Sequence, residues 1–358
     1  MNAQLKDITT PPVSMIFENG IKHPDLWLWD SWTCQIGKRL NLYCLAMPRI
    51  DARGEAILPE HRNNHRFHVR RFASEDNGAT WTDFGAVQTP TQLEDRSDSR
   101  NVWSGSVTLL RDGRVLYGFT GIMECEDNRP FIQSICVGSA DSIDDEIKIQ
   151  STSISSSLFQ YDEIIAAGYY LGPKQNLGDG LGEEGGPILA WRDPFAIQDG
   201  EGVIHLYWSA KVGPDRPAIA RATIEERDKG FQVKTLFPPV CLPDSELVTQ
   251  AEVPKVYPLG DTGSYLLVIS ACDSRYEGQP ADEITKVQRF YISEDLNGPW
   301  RSYSDDGSLA TGCEFLFGGS VTQYNADRHS VNFIAPYTEM ANDDIQLSFG
   351  PIIEIPLK

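Results

Sequence analysis

SEDNGATW (residues 74–81) and SEDLNGPW (residues 293–300) share a Ser-Glu-Asp start, a glycine and a final tryptophan, and each directly follows a strand-like run. In such a segment the aspartate can accept hydrogen bonds from backbone amides and the glycine supplies φ > 0, which predicts a hairpin turn with the tryptophan packed beneath it. Turns of this kind recur in the blades of β-propellers, where radial repetition leaves few exposed strand edges. Two unrelated surface hairpins are the alternative.

Short runs rich in β-branched and aromatic residues recur along the rest of the chain, for example RVLYGFTGI (114–122), VIHLYWSAKV (203–212) and SYLLVISAC (264–272). Gly, Asp, Asn and Pro separate them at intervals near the roughly 8 to 12 residues typical of all-β domains. Helix-period apolar patterns are few, and no linker or charge run divides the chain. The sequence therefore predicts an all-β fold, with residues 1–358 as a single domain.

Composition narrows the classes of function. A chain of 358 residues that is 41% hydrophobic can bury a large core, which excludes a disordered protein. The formal net charge of −20 argues against nucleic acid or an anionic membrane surface as partner and favours a neutral ligand. The first residues lack a basic start followed by an apolar run, so we expect a cytoplasmic protein, or one exported without a cleaved signal peptide. The seven cysteines are scattered and never form a CxxC pair, so we expect reduced, mostly buried thiols.

Three acids stand out by their apolar and aromatic surroundings: Asp30 in LWLWDSW (26–32), Asp193 in WRDPF (191–195) and Glu252 in TQAEVPKVY (249–257). Such surroundings raise the pKa of a carboxyl group unless a cation is near, and Arg192 could keep one acid ionised while another stays protonated. Cleavage of a glycoside by two carboxylates needs this division. The alternative is that each acid caps a turn or pairs with an arginine.

Other motifs indicate less. His61, His65 and His68 in HRNNHRFHVRRF (61–72) could ligate a metal, but a hydrogen-bonded structural segment fits the strand-like residues that follow. The glycine-rich NLGDGLGEEGG (176–186) lacks the ending of a phosphate-binding loop, which favours a mobile loop. NVWSGSV (101–107) is compatible with an ordinary strand end. Neither a GxSxG elbow nor a Cys/His signature supports acyl-transfer chemistry.

Taken in order, WDSW, HRNNHRFHVRRF leading into SEDNGATW, VWSGS, WRDP, AEVPKVY and DSR resemble the serial motifs of glycoside hydrolase family 68, the levansucrases, inulosucrases and bacterial β-fructofuranosidases. The likeness runs from about residue 20 to about residue 340. It implies a five-bladed β-propeller with a central acidic pocket, in agreement with the all-β prediction.

The resemblance also implies roles. Asp30 corresponds to the nucleophile that forms a fructosyl-enzyme, Glu252 to the acid/base, and Asp193 to the acid that stabilises the transition state. The residues implied to line the fructosyl pocket are Trp29, Trp103, Ser104 and Arg192.

Departures from the family pattern lie beside the acid/base. Gln250 and Val253 stand where the family usually has an acid and an arginine, so recognition of the leaving group is expected to differ. Arg275 in DSRYEG and, more loosely, Tyr337 match family residues of that subsite. Thr249 stands where calcium-binding members have a ligand aspartate, so we expect no calcium. We also expect no other metal and no cofactor.

The expected function is that of a retaining β-fructofuranosidase or fructosyltransferase whose partner is a small carbohydrate, sucrose or a related fructoside. Hydrolysis or short-chain transfer is favoured over polymer synthesis. Another furanosidase with an arabinan-type five-bladed propeller, or a non-catalytic sugar-binding propeller, are the alternatives.

Overall fold

The computed structural model of the chain describes residues 15–91, 93–94, 96–125, 129–178, 188–228, 230–276, 278–338 and 347–357. Over these ranges the chain forms twenty β-strands arranged in five sheets. One short α-helix, α1 (Tyr161–Ala166), follows the second sheet. Single 3₁₀-helical turns lie at Pro59–Asn64, Lys174–Asn176, Ser245–Leu247, Gly260–Thr262, Ala281–Glu283 and Ala326–Arg328.

Each sheet is one blade of a propeller. Blade 1 contains β1 (Ile16–Glu18), β2 (Leu26–Ile36), β3 (Arg39–Pro48), β4 (His68–Ser74) and β5 (Thr80–Gln88). Blade 2 contains β6 (Asn101–Leu109), β7 (Val115–Cys125), β8 (Arg129–Ala140) and β9 (Lys148–Ser155). Blade 3 contains β10 (Arg192–Gln198), β11 (Ile204–Gly213), β12 (Arg216–Arg227) and β13 (Gly230–Leu236). Blade 4 contains β14 (Gln250–Pro258), β15 (Tyr265–Cys272), β16 (Lys286–Ser293) and β17 (Arg301–Ser302). Blade 5 contains β18 (Ser320–Asn325), β19 (Ser330–Ile334) and β20 (Ile353–Pro356).

The strands of each blade pair antiparallel, in the order in which they follow one another along the chain, except that β1 pairs with the far edge of blade 1. The leading strands of the blades contact one another: β18 lies against β2, β2 against β6, β6 against β10, and β10 against β14. The predicted all-β, five-bladed β-propeller is confirmed.

Five apolar clusters hold the ring together, one between each pair of neighbouring blades. Strand β15 shows how one strand serves two of them. Leu266 and Val268 belong to the cluster shared with blade 5, whereas Leu267 and Ile269 belong to the cluster shared with blade 3. Because successive side chains of a strand point to opposite faces, a strand buried on both faces needs a continuous apolar run. This explains why SYLLVISAC does not alternate.

The turn between β4 and β5 has the predicted chemistry. Asp76 Oδ1 accepts a hydrogen bond from the backbone N–H of Thr80 at 2.9 Å. Gly78 has φ of 89°, and Trp81 is fully buried beneath the turn.

The turn between β16 and β17 repeats that chemistry in blade 4. Asp295 Oδ1 accepts a hydrogen bond from the backbone N–H of Asn297 at 2.7 Å, Gly298 has φ of 85°, and Trp300 is buried. Since both turns join the last two strands of a blade, the repeated sequence marks equivalent positions in two blades.

The six cysteines whose side chains are described are unpaired, as expected, and five of them are buried; Cys241 is exposed. Within the described ranges, no helix has both the length and the apolar character needed to cross a membrane.

Candidate active site

A pocket of about 610 Å³ opens where the leading strands of the blades come together. The three predicted acids all line it, although together they span more than 200 residues of the chain, from Asp30 to Glu252. The predicted site residues that line it are Trp29, Asp30, Trp103, Ser104, Arg192, Asp193, Glu252 and Tyr337. The residues singled out from separate motifs are thus brought to one place.

Local irregularities in the leading strands position these side chains. In four strands the pairing with the next strand shifts register at a candidate residue, which is the mark of a β-bulge. The shifts lie at Leu28/Ser31 in β2, Trp103/Gly105 in β6, Arg192/Phe195 in β10 and Glu252/Lys255 in β14. A bulge turns a side chain away from the regular alternation of a strand, so it can direct a polar group into the pocket without breaking the blade.

Asp30 is held by contacts from two other blades. The hydroxyl of Ser104 donates a hydrogen bond of 2.6 Å to Asp30 Oδ2. On the other side Gly318, with φ of 65°, packs so closely that a Cβ on it would lie 2.2 Å from Asp30 Oδ1. The carbonyl of Gly318 accepts a hydrogen bond from the backbone N–H of Ser31 at 2.7 Å, which fixes this approach. Asp30 is therefore oriented through Oδ2, while Oδ1 lies beside a residue that has to be glycine.

Asp193 is buried and has φ of 65°, a conformation that non-glycine residues rarely adopt. Its Oδ2 accepts hydrogen bonds from Ser209 Oγ at 3.0 Å and from the backbone N–H of Val253 at 3.1 Å. Burial raises the pKa of Asp193; the charge of Arg192 opposes this rise and that of Asp30 adds to it. The carboxyl group is therefore rigid.

Opposing effects act on the pKa of Glu252, whose side chain keeps 22% of its surface exposed. Burial raises its pKa to about 7; Arg192 opposes the rise, and Asp193 and Asp30 add to it. Arg192 Nη2 lies 3.5 Å from Glu252 Oε1. A carboxyl group with a pKa near neutrality can donate a proton and later accept one, which is what an acid/base residue does.

Aromatic side chains form the walls of the pocket. Trp29 is half-buried and meets Phe67 edge to face, with 5.1 Å between ring centroids. Trp103 is half-buried against Phe131 at 6.3 Å. Partly exposed rings of this kind offer flat apolar surfaces to a ligand.

The segment HRNNHRFHVRRF contributes more than the sequence indicated. Arg62, Asn63 and Phe67 line the pocket, and Lys286 does so from the start of β16. The segment belonged to the motifs that carried the family resemblance, and that was the only signal for it. His68 is buried in β4 while His61 is exposed, in keeping with the structural interpretation.

Two predicted residues do not line the pocket. Gln250 is buried, and its Nε2 donates to the carbonyl of Ser274 at 3.2 Å, so its amide holds the loop after β15. Arg275 is exposed, because it lies in that loop beyond the end of β15, where its backbone N–H donates to Gln279 Oε1 at 2.9 Å. Neither Gln250 nor Arg275 is therefore among the residues that line the pocket, whereas Tyr337 does line it.

Within the described residues, no group of three or more His, Cys, Asp or Glu side chains is arranged to hold a metal ion. The hydroxyl of Thr249 donates to the backbone carbonyl of Ser274. The glycine-rich stretch 176–186 lies outside the described residues from position 179 onwards.

Comparison with known proteins gave one curated sequence relative and many structures. No family model matches the chain. The levansucrase of Streptococcus mutans serotype c is 23% identical over 230 residues, which cover 60% of this chain. The match spans only 26% of the length of that relative.

Solved structures cover nearly the whole chain. An oligosaccharide complex of Bacillus subtilis levansucrase matches 99% of this chain and 89% of its own, with a TM-score of 0.63 and 14% identity. Inulosucrase from Halalkalicoccus jeotgali bound to kestose covers 99% and 90%, with a TM-score of 0.62 and 18% identity. A levansucrase complexed with sucrose covers 99% and 89%, with a TM-score of 0.62 and 15% identity.

These structures establish the fold, and the curated match adds a relative of the same kind by sequence. Together they agree with the resemblance of this chain's motifs to glycoside hydrolase family 68.

Proposed function

We propose that this protein cleaves a β-fructofuranoside, with sucrose as the first candidate, by double displacement with retention at the anomeric carbon. The observation that carries the proposal is that one pocket holds Asp30, oriented by Ser104, together with Glu252, whose pKa is raised to about 7. A retaining mechanism needs one carboxylate to attack and a second to act as acid and then as base.

In the first step Glu252 protonates the glycosidic oxygen as the bond to the anomeric carbon breaks. Asp30 attacks that carbon with Oδ1, because Oδ2 is occupied by the hydroxyl of Ser104 at 2.6 Å. The product is a fructosyl-enzyme ester and a free leaving alcohol. The raised pKa of Glu252 keeps part of its population protonated near pH 7, which this step requires.

In the second step Glu252, now ionised, accepts a proton from water or from a sugar hydroxyl as that oxygen attacks the ester. Asp193 is fixed by Ser209 and by the N–H of Val253, so it can hold sugar hydroxyls in constant positions while positive charge develops on the ring. Release regenerates Asp30 and the protonated Glu252.

The choice between water and a sugar acceptor depends on the leaving-group side of the pocket. Val253 has an apolar, buried side chain, and its backbone N–H donates a hydrogen bond to Asp193. Arg275 is exposed and lies outside the pocket lining. Fewer directional donors on that side favour hydrolysis or short-chain transfer over polymer synthesis.

The relatives support the proposed substrate class. The curated relative is named a levansucrase, and the solved structures of similar fold hold sucrose, oligosaccharides or kestose. These names support a small carbohydrate as ligand here, with sucrose as the donor to test first.

The test follows free glucose and free fructose separately during incubation with sucrose, for the wild-type protein, Asp30→Asn and the control Asp305→Asn. Asp305 is an exposed acid in a turn of blade 4 and lies outside the pocket lining. We expect Asp30→Asn to lose at least about 10³-fold in kcat and Asp305→Asn to match the wild type. Equal release of the two sugars indicates hydrolysis, and excess glucose indicates transfer.

Three results contradict the proposal. Undiminished turnover by Asp30→Asn would show that Asp30 is not the nucleophile. Binding of fructosides without any turnover indicates a sugar-binding propeller, and turnover of arabinofuranosides alone indicates another furanosidase.

A further inference from the structure

Lys255 is buried directly behind the candidate site. It lies on β14, three residues after Glu252, and is 1% exposed. Among the residues that the structure describes, none forms an ion pair with its ammonium group. A buried cation without an ion-pair partner is costly, so a contact or an electrostatic role has to compensate for it.

Its hydrogen bonds join the two backbone segments that carry the site. Lys255 Nζ donates to the carbonyl of Gly319 at 2.7 Å and to the carbonyl of Val253 at 3.3 Å. Val253 follows Glu252, has a strained φ of 44°, and donates its N–H to Asp193. Gly319 follows Gly318, which packs against Asp30. One ammonium group thus connects the strand of the acid/base to the wall beside the nucleophile.

The charges around Lys255 favour its protonated form near neutrality. Burial lowers the pKa of Lys255 to about 8, while the charges of Asp30 on β2 and Asp193 on β10 oppose that fall. The other charged groups of the site on these neighbouring strands are Arg192 on β10 and Glu252 on β14 itself. Electrostatic interaction is reciprocal, so the ammonium group in turn favours the ionised form of nearby carboxylates.

We propose that Lys255 is a positioning residue for the proposed fructoside cleavage: its ammonium group fixes the backbone at Val253 and Gly319 and supplies positive charge behind the acids of the pocket. Lys255 does not touch the substrate. It acts through the placement and the ionisation of the residues that do.

The test compares Lys255→Met and Lys255→Arg with the wild-type protein over a range of pH. The assay follows the release of glucose and fructose from sucrose. We expect Lys255→Met to lose kcat by about 10- to 100-fold, because a small misplacement of reacting groups costs that much, with KM changed less than about threefold. Its acidic limb of kcat/KM moves to higher pH, because losing a nearby cation disfavours ionised carboxylates. Lys255→Arg keeps the charge and therefore keeps the wild-type limb.

Lys211→Met is the matched control. Lys211 lies on β11 of blade 3, is also 1% exposed, and lies outside the pocket lining. We expect this variant to lower the melting temperature without moving the limb, which separates a structural lysine from a positioning one.

The inference rests on the proposed function, and the two fail separately. A wild-type protein inactive on fructosides contradicts the function itself. If the wild-type protein is active and Lys255→Met keeps both its kcat and the position of its acidic limb of kcat/KM, the proposed role of Lys255 is contradicted. If Lys255→Met does not fold, Lys255→Gln takes its place. If neither neutral variant folds, Lys255→Arg still tests the proposal, because a shift of its acidic limb of kcat/KM from the wild-type position overturns it.

Discussion

Gly318→Ala is the sharpest perturbation that the site offers. A Cβ at residue 318 would lie 2.2 Å from Asp30 Oδ1 and 2.7 Å from Asp30 Cα, whereas real Cβ contacts below 3.0 Å are essentially never seen. Asp30 or the 318 backbone must therefore move by roughly 0.8 Å. Misplacement of a reacting group on this scale costs about 100-fold in rate, so we expect kcat to fall by about that factor.

A second glycine isolates the cost of backbone conformation. Gly312 also has positive φ, 79°, but a Cβ there meets nothing within 4 Å. Gly312→Ala should lose about 1 kcal/mol of unfolding free energy, the usual cost of alanine at positive φ, and keep its kcat. Gly318→Ala should lose a further 1–3 kcal/mol or so from overpacking.

The assay pairs urea unfolding with steady-state kinetics on sucrose for both variants. A Gly318→Ala enzyme with the kcat of Gly312→Ala would refute the claim that close packing at residue 318 places the nucleophile. Equal losses of stability in the two variants would refute the claim of a clash.

Two further predictions concern pH. The wild-type kcat/KM should fall as pH rises through about 7, because Glu252, with its raised pKa, loses the proton that it donates. Glu252→Gln should abolish this alkaline limb of the pH profile and lower activity by about 10²- to 10⁴-fold. Asp83→Asn should cost about 3–5 kcal/mol at pH 7, because it breaks the buried pair in which Arg70 Nη2 lies 2.6 Å from Asp83 Oδ2. Burial raises the pKa of Asp83, but hydrogen bonds from His23 and Arg70 outweigh it and the net pKa is lowered, so this stability is lost as pH falls. The gap in melting temperature between wild type and variant should therefore close below about pH 4, and a gap independent of pH would argue against the pair.

Most of the fold could be predicted from the sequence, because turns and strands are indicated by residues that lie close together in the chain. The Ser-Glu-Asp turns at Asp76 and Asp295 occupy equivalent positions in two blades, as their repetition suggested. The continuous apolar run of β15 reflects burial on both faces. The number of blades came from the family resemblance, since a local pattern does not count the repeats of a ring.

The acids of the site were also visible locally, since Asp30, Asp193 and Glu252 stand among apolar and aromatic neighbours. Their geometry was not. The β-bulges depend on the pairing of each strand with its partner, and Gly318 meets Asp30 across 288 positions of chain. Arg275 was placed by motif, and the loop that carries it turns it to solvent. A contact between distant segments, such as that of Gly318 with Asp30, leaves no trace in the sequence around the residues that make it.

The ring is closed by early and late parts of the chain. Ile21 and Phe349 exchange backbone hydrogen bonds of 2.9 and 3.0 Å, and the N–H of Leu28 donates to the carbonyl of Leu347 at 2.9 Å. During synthesis on the ribosome, Asp30 therefore emerges long before the residues that complete the pocket around it. The nascent chain can build its blades one after another, and the pocket is complete only when the last blade docks against the first.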